Sequence, residues 1–442
     1  MKKVLLLGAG MVAKPITDYL LSNNISLTIA TRTRSKAEAL INGRNGKSIA
    51  WTTDDHALLE TLIIEHDLTV SLLPYTHHVV VAQLCIKHKK PMVTTSYVSD
   101  EMKKLDTSAK KSGIIILNEI GVDPGFDHMT AMRIIDKVHS EGGKIKEFYS
   151  LCGALAAPEE ANNPFKYKFS WSPEGVIRAG NNGAKFLKGG EVVEISTENL
   201  FKNPLQIKFP EVGNMEVYPN RDSLAYINIY QIPEVQTMYR GTFRYPNWCE
   251  SMDLLKALGL VSYEKQNFTG KSYKEIVAEN IGVYPSNVKE KVAERMKLEL
   301  SSPAIVALDW LDYFSDHRIP IKEGSTFDVT ADLMLKKMML PKGGRDMVIM
   351  LHSFLVEKAT GEKEVIQSRL LDFATDDDTS IARTVALPAA IGAEMILEGE
   401  ITDTGVHIPT SKNIYTSVLN KLEKMGISMV EEWGLPETAQ IG

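Results

Sequence analysis

The sequence predicts an α/β fold: a doubly wound parallel sheet followed by a mixed α/β domain that carries a helical insertion. Three observations predict it. Short apolar runs alternate with helix-like stretches from Val4 to Leu117. The turn Gly8-Ala9-Gly10 falls between the first strand and the first helix. After Gly125 the alternation stops and strand pairs take over.

Residues 4–7 read as a buried strand and residues 11–21 as a helix with apolar residues at helical spacing. Strand-like runs follow at 27–30, 69–73, 91–95 and 114–117, with helix-like stretches at 35–41, 57–66, 78–89 and 99–112. Short runs buried on both faces and joined by helices are what a parallel sheet requires. Right-handed crossovers then make it doubly wound. Residues 126–140 read as one helix, apolar at Met129, Met132, Ile135 and Val138. "KIKEFYSLCGAL" turns to strand, and "AKFLKGGEVVEI" is a hairpin signal, because Gly189-Gly190 can adopt the positive φ of a primed turn. "LQIKFPEVGNMEVYP" and "EKEVIQSRLLDFAT" add strand pairs. Residues 249–319 are helical, with Ser272 and Glu275 as a capping box. "TSIARTVALPAAIGAEM", residues 379–395, is a small-residue-rich helix expected to pack back on the first domain.

A chain of 442 residues accommodates two or three domains, and 44% apolar with 24% charged residues is ordinary for a soluble protein. A net charge of -6 argues against a general nucleic-acid or acidic-membrane partner. No apolar run reaches the roughly 18 residues that span a bilayer, and the N-terminus enters a strand without a signal-peptide cleavage region. Cys85, Cys152 and Cys249 are odd in number and far apart, which fits a reducing cytoplasm and gives neither a disulfide framework nor zinc spacing. No metal site is expected.

Gly8-Ala9-Gly10-Met11-Val12-Ala13 is a G-x-G-x-x-A fingerprint. Gly8 allows the tight turn, Gly10 lets the backbone approach a pyrophosphate, and Ala13 lets helix and strand pack closely. The helix N-terminus adds free N–H groups and partial positive charge. The second strand ends in Thr31-Arg32-Thr33-Arg34, without the acidic residue that an NAD site tends to have. Guanidinium and hydroxyl donors suit a 2′-phosphate, so NADP is the expected dinucleotide.

Candidate chemistry lies at the later strand ends. Thr95, Ser96 and Tyr97 stand at the carboxyl end of one strand, and Asn118, Glu119 and Asp123 at the next, the edge where ligands of such sheets sit. Asp123 reads equally well as the N-terminal cap of the helix that follows. Arg221 in "YPNRDS" and Arg244 in "RGTFRYP" are fork donors of the kind that bind carboxylates, or are arginines on a solvated face. Cys152 reads as a reactive or a core thiol. His77 and His78 lack partners at metal-ligand spacing and read as surface or packing residues.

The stretches "LLPYTHH", "KHKKPMVTTSYVS", "ILNEIGVDPGFDHM", "EGGKIKEFYSLCGALAAPE", "NNPFKYKFSWSPEGV", "RGTFRYP" and "ARTVALPAAIGAE" resemble the saccharopine dehydrogenase family of the NADP-dependent, L-glutamate-forming type, also called saccharopine reductase. The resemblance runs from residue 4 to about residue 400. It implies an NADP-binding Rossmann-type domain over residues 1–124, completed by about 376–442. It also implies a substrate and dimerisation domain over 125–248 and 320–375, and a helical insertion over 249–319. The implied reaction condenses 2-aminoadipate 6-semialdehyde with L-glutamate and reduces the imine with NADPH to saccharopine, or runs in reverse. The implied oligomer is a homodimer, and the cysteine usage places it in the cytoplasm.

Carried over by the resemblance, cofactor contacts fall on Gly8 to Val12, Thr31-Arg32-Thr33, Leu73-Pro74, Thr95-Ser96, Val122-Asp123-Pro124 and Ser172. Trp51 and Thr52 stand where the family usually has an acid after the third strand, with Trp51 placed to stack on a base. Substrate contacts fall on Ser96, Tyr97, Asp123, Arg221, Thr242, Phe243 and Arg244. Carbinolamine formation and loss of water need proton transfer, for which Tyr97, Asp123 and Cys152 are the candidates. A carboxynorspermidine dehydrogenase-type imine reductase is the neighbouring expectation. Its substrate has more amines and fewer carboxylates, so the two arginines favour saccharopine. A non-catalytic NADP-binding protein is the third, disfavoured by Ser96-Tyr97, Asp123 and both arginines.

Overall fold

The first strand, β1 (Lys3–Leu7), is buried at every residue after Lys3, as an apolar run covered on both faces must be. The chain then alternates: α1 (Ala13–Ser22), β2 (Ser26–Thr31), α2 (Arg34–Ile41), β3 (Gly46–Ala50), α3 (His56–Glu65), β4 (Leu68–Ser71), α4 (His78–Lys87) and β5 (Met92–Thr94). Next come α5 (Asp100–Lys103), α6 (Asp106–Ser112), β6 (Ile115–Leu117) and α7 (Phe126–Ser140). The expected single helix over 99–112 is two, because Leu105 N bonds back to Met102 O and tightens the chain between them. In this computed structural model, which describes all 442 residues, contacts divide the chain into two units. One comprises Met1–Gly143 with Ser368–Glu431, the other Lys144–Gln367 with Glu432–Gly442.

The second unit is built on β7 (Lys144–Ala156), followed by α8 (Pro173–Ala179), the hairpin β8 (Ala184–Lys188) and β9 (Glu191–Ile195), β10 (Leu205–Phe209) and β11 (Gly213–Pro219). Then come α9 (Ala225–Ile229), β12 (Thr237–Arg244), α10 (Trp248–Ala257), β13 (Lys265–Asn267), α11 (Tyr273–Ile281), α12 (Val288–Met296), α13 (Pro303–Trp310) and β14 (Glu323–Ser325). The unit closes with α14 (Thr326–Lys337), β15 (Asp346–Glu357) and the start of β16 (Lys363–Phe373). Gly189 and Gly190 have φ of 58° and 85°, the primed turn their sequence foretold. Ser272 and Glu275 form the capping box. The chain ends with α15 (Ser380–Glu398), β17 (Gly405–His407), α16 (Lys412–Lys424) and β18 (Val430–Leu435).

The first sheet has the order β17-β6-β5-β4-β1-β2-β3, with every pairing parallel. Strand order reverses between β1 and β4, where a doubly wound sheet opens its ligand crevice. The second sheet runs β10-β11-β12-β7-β15-β16-β18, with β8 on β12 and β9 on β8; β12 and β7 are parallel and the other recorded pairs antiparallel.

The division differs from the expected one in three places. Helix α7 belongs to the first unit, not the second, because Tyr415 donates to Asp136 (2.6 Å) and Arg133 bridges to Glu423 (2.7 Å) and Glu431 (2.6 Å). Residues 432–442 join the second unit, where the Gln440 and Ala439 end bonds to Ser353 and Gln367. The helices over 249–319 cluster with the second sheet rather than standing apart. Helix α15 is long and apolar enough to cross a membrane, yet most of it is buried in the first unit. It packs against α1, where Tyr19 donates to Glu394 at 2.7 Å.

Candidate active site

The strand registers end level, so the loops after β1 to β6 share one edge of the first sheet. Gly8 turns there with φ of 105°, its N–H on Ala30 O at 2.9 Å, and a Cβ on it would stand 3.2 Å from Leu72 O. A Cβ on Gly10 meets nothing within 4 Å, so the protein itself gives no packing reason for glycine there; the space is open to a ligand. Helix α1 begins with no side-chain cap and no acid in its first turn, and although Ala13 N–H bonds to Gly10 O and Pro15 has no N–H, its positive end still favours an anion. Ala9 is buried, and Met11, Thr33, Thr52 and Pro74 are exposed, with Val12, Thr31 and Leu73 half-buried along the same rim. Arg34 is engaged by Glu38 (2.9 Å) and Ser48 (3.2 Å), whereas Arg32 is exposed with no bonded partner. Trp51 lines a small pocket with Thr53, His56, Leu73 and His77. It is 4% exposed, its ring joins the core of Leu7, Ala30, Leu59 and Leu62, and Nε1 donates to Asp55 O at 3.0 Å. Burying so large an apolar ring outweighs leaving it at the rim.

The loops after β5 and β6 are tied to each other. Tyr97 donates to Asp123 Oδ1 at 2.8 Å. Glu119, buried and at φ of 55°, accepts from Val98 N at 2.8 Å and meets His128 Nε2 at 2.8 Å. Its own N–H reaches Ser96 O at 3.2 Å. Asp123 is therefore no helix cap. Gly125 takes the cap position of α7, and its N–H goes to Asp127 Oδ1 at 2.6 Å. Thr95, Ser96 and Asp123 are half-buried, and Val122 and Pro124 buried. His78 is neither surface nor plain packing. It is 3% exposed, with Nδ1 3.0 Å from Ser71 Oγ and Nε2 2.9 Å from Ser96 Oγ and 3.1 Å from Thr94 Oγ1.

In the second unit, the register sets Tyr218, Thr242 and Cys152 side by side on β11, β12 and β7. Neighbouring strands put paired residues on one face, and Arg244, two residues past Thr242, shares it. The Arg244 guanidinium is 4% exposed and caged by Tyr167 (4.9 Å), Trp248 (5.2 Å) and Tyr218 (5.6 Å). It donates to Phe243 O at 2.8 Å, has no carboxylate partner, and leaves Nε unbonded. Glu216, opposite it in the sheet, turns instead to Cys249 N at 3.1 Å. Burial raises the Tyr167 and Tyr218 phenols, with Arg244 pulling each partly back. A buried cation without an acid is costly unless an anion arrives.

The structure gives three other expected site residues of this unit different surroundings. Phe243 is fully buried and faces the other side of the sheet against Phe209, centroids 5.7 Å apart, so only its backbone could serve a ligand. Arg221 is exposed at φ of 53°, beside Lys185 and Asp222. Asn220 N bonds to Arg240 O, so the Arg221 backbone lies toward the other end of β12, yet the Arg221 charge, like that of Arg244, acts on the Tyr218 phenol. Ser172 is exposed and caps α8 by accepting from Gly175 N at 3.3 Å. Cys152 is 8% exposed.

Residues 4–117 match the saccharopine dehydrogenase NADP binding domain, and residues 121–427 match the saccharopine dehydrogenase C-terminal domain. This chain belongs to the saccharopine dehydrogenase family. It is 40% identical over 448 residues to the saccharopine dehydrogenase [NADP(+), L-glutamate-forming] of Schizosaccharomyces pombe, covering 98% of this chain and 99% of that one. It is 35% identical over 442 residues to the protein of that name in Saccharomyces cerevisiae, covering 98% and 99%. It also matches the mitochondrial alpha-aminoadipic semialdehyde synthase of Mus musculus, 35% identical over 96% of this chain but only 47% of that longer protein. The solved apo structure of histidine-tagged saccharopine dehydrogenase (L-Glu forming) from Saccharomyces cerevisiae superposes with a TM-score of 0.89 at 34% identity, over 98% of this chain and all of that one.

Sequence reasoning missed the hydroxyl network of His78, the His128 partner of Glu119, and the aromatic cage in this member of the saccharopine dehydrogenase family. The cage had a signal, the aromatic density of "FKYKFSW", but nothing local said that it surrounds a guanidinium. Burial holds His78 down at about 4, with His77 adding to it, against an ordinary value of 6.5. As pH falls below 6.5 the unfolded chain takes up a proton that the folded one refuses, so stability drops until about pH 4. His78→Gln is expected to flatten that acid limb by up to about 3 kcal/mol, read from denaturant unfolding at pH 7 and pH 4.5.

Proposed function

We propose that this chain is an NADP-dependent saccharopine dehydrogenase of the L-glutamate-forming type. It joins 2-aminoadipate 6-semialdehyde and L-glutamate as an imine and reduces that to saccharopine, or runs the reverse. The observation that carries the reading is Arg244: a caged guanidinium without an acid, in a family named for a substrate with three carboxylates. An amine-rich substrate, as for a carboxynorspermidine dehydrogenase, calls for acids at that place.

The glycine turn, the uncapped α1 and the unpartnered Arg32 fit a phosphorylated dinucleotide. NADPH, when bound, supplies the hydride. The α1 N-terminus would hold the pyrophosphate and Arg32 the 2′-phosphate. Arg32→Ala is expected to lower kcat/KM for NADPH by about 10- to 100-fold and leave NADH unchanged, the scale of a charged hydrogen bond; steady-state kinetics with both dinucleotides check it.

Asp123, held by Tyr97, would favour a protonated imine electrostatically, and the Tyr97–Asp123 pair can hold the proton that carbinolamine formation and water loss exchange. Much of the acceleration comes from holding two substrates together, so no single residue is indispensable. Asp123→Asn is therefore expected to lower kcat by about 10- to 100-fold without abolishing it, the low end for general acid–base groups. Cys152, beside Thr242 on the sheet face, is a further candidate for proton exchange. Arg221, whose charge reaches Tyr218 as that of Arg244 does, suits a second carboxylate of the substrate. We place the protein as a homodimer in a reducing cytoplasm; three buried cysteines outside any disulfide suit that compartment, and light scattering should return twice the chain mass.

Mixing NADPH, L-glutamate and the semialdehyde with purified protein, and weighing the product by mass spectrometry, tests the reading. The mass of saccharopine supports it. Bound NADPH with no product overturns it.

A further inference from the structure

We propose that His78 is a positioning residue, whose Nε2 fixes the Ser96 hydroxyl so that it meets the dinucleotide in one orientation. The proposal rests on the reading that the loop after β5 contacts NADPH. The main chain of Ser96 is already held, since its carbonyl accepts from Glu119 N at 3.2 Å. What remains free is the hydroxyl, which can rotate as donor or acceptor. His78 removes that freedom. Its ring stands at the first position of α4, between the ends of β4 and β5, and reaches three hydroxyls: Ser71 through Nδ1, Ser96 and Thr94 through Nε2. Ser71 and Thr94 are fully buried, so the network ends in the core and offers no route for a proton to solvent. Ser96 is its one member at the half-buried rim. A network closed on the inside and open only at Ser96 orients rather than relays. Ordering the hydroxyl before the ligand arrives removes a cost from binding. The ring stays neutral because burial depresses its basicity, so the same hydrogen bonds hold across ordinary pH.

The two sides of the ring can be separated. In His78→Asn the amide reaches the place of Nδ1 and keeps Ser71. In His78→Gln it reaches the place of Nε2 and keeps Ser96. NADPH titration by fluorescence, with a thermal melt of each variant, reads the result without turnover. His78→Ala, His78→Asn and Ser96→Ala are each expected to weaken NADPH by about tenfold, the scale of one hydrogen bond. His78→Gln should restore most of the loss, and the double variant with both alanines should bind no worse than either single. Rescue by Asn but not Gln, losses that multiply in the double variant, or a lowered melting temperature with unchanged NADPH affinity each overturn the proposal. Saccharopine formation by the unaltered protein is measured in parallel; its absence ends the functional reading, and the NADPH comparison still decides the role of His78.

Discussion

Arg244→Ala is expected to lower kcat/KM for the amino-acid substrates by about 10- to 150-fold while NADPH affinity stays unchanged, since a lost charged hydrogen bond is worth about 1.5–3 kcal/mol. The side chain is 4% exposed, and its one bond is to the neighbouring carbonyl of Phe243. Three rings surround the guanidinium, and Glu216, its neighbour across the sheet, bonds to Cys249 N instead of pairing with it. Aromatic faces stabilise a cation without using its N–H donors, so the fork stays available to an anion. Removing it also opens space among Tyr167, Tyr218 and Trp248, and a loss of packing must be told apart from a loss of recognition. Arg244→Lys does this. It keeps the charge but cannot bind a carboxylate bidentately, so it should fall between the wild type and Arg244→Ala. Wild-type kinetics in Arg244→Ala would end the role given to the cage.

Gly125→Ala is expected to cost more than about 4 kcal/mol and to yield little folded protein, a penalty reserved for severe backbone conflict. Gly125 has φ of 142°, and a Cβ there would come 2.3 Å from both the N and the O of Gly121. Those atoms are themselves committed: Gly121 N donates to Pro124 O at 2.9 Å and Gly121 O accepts from Phe126 N at 2.8 Å. The turn that delivers Asp123 cannot open without losing both bonds and the start of α7. Gly10→Ala is the control, because a Cβ there meets nothing within 4 Å. Thermal unfolding of the two variants side by side checks the contrast. A Gly125→Ala protein melting within about 2 °C of wild type would mean that the turn tolerates a side chain.

The fold was legible wherever local pattern and global burial agree. Helix α7 spans Phe126–Ser140, the range its apolar spacing indicates, and the glycine hairpin and the Ser272–Glu275 box stand where their residues place them. Strand β3, "GKSIA", escaped because it lies at an edge of the sheet, half-exposed and without an apolar run. Strand β17 escaped because three residues show no periodicity. The candidate site was legible as residues but not as environments. Asp123 looked as much like a cap as an active-site acid until Tyr97 was found on it and Gly125 at the cap. His78 looked like packing until its ring was found among three hydroxyls.

By itself the sequence determined the alternation of strand and helix, the glycine turn that suits a pyrophosphate, the absence of an acid after β2, and the family. Each is written in neighbouring residues, where spacing, backbone freedom and charge act over a turn or a strand. Only the tertiary structure decided that Trp51 joins the core of the first unit, that Phe243 faces away from Thr242, and that Arg244 is caged by three rings with no carboxylate in ion-pair reach. Those outcomes depend on what distant segments bring to a side chain. Whether a polar group is solvated, paired or stranded is a property of its three-dimensional neighbours, not of the residues beside it in the chain.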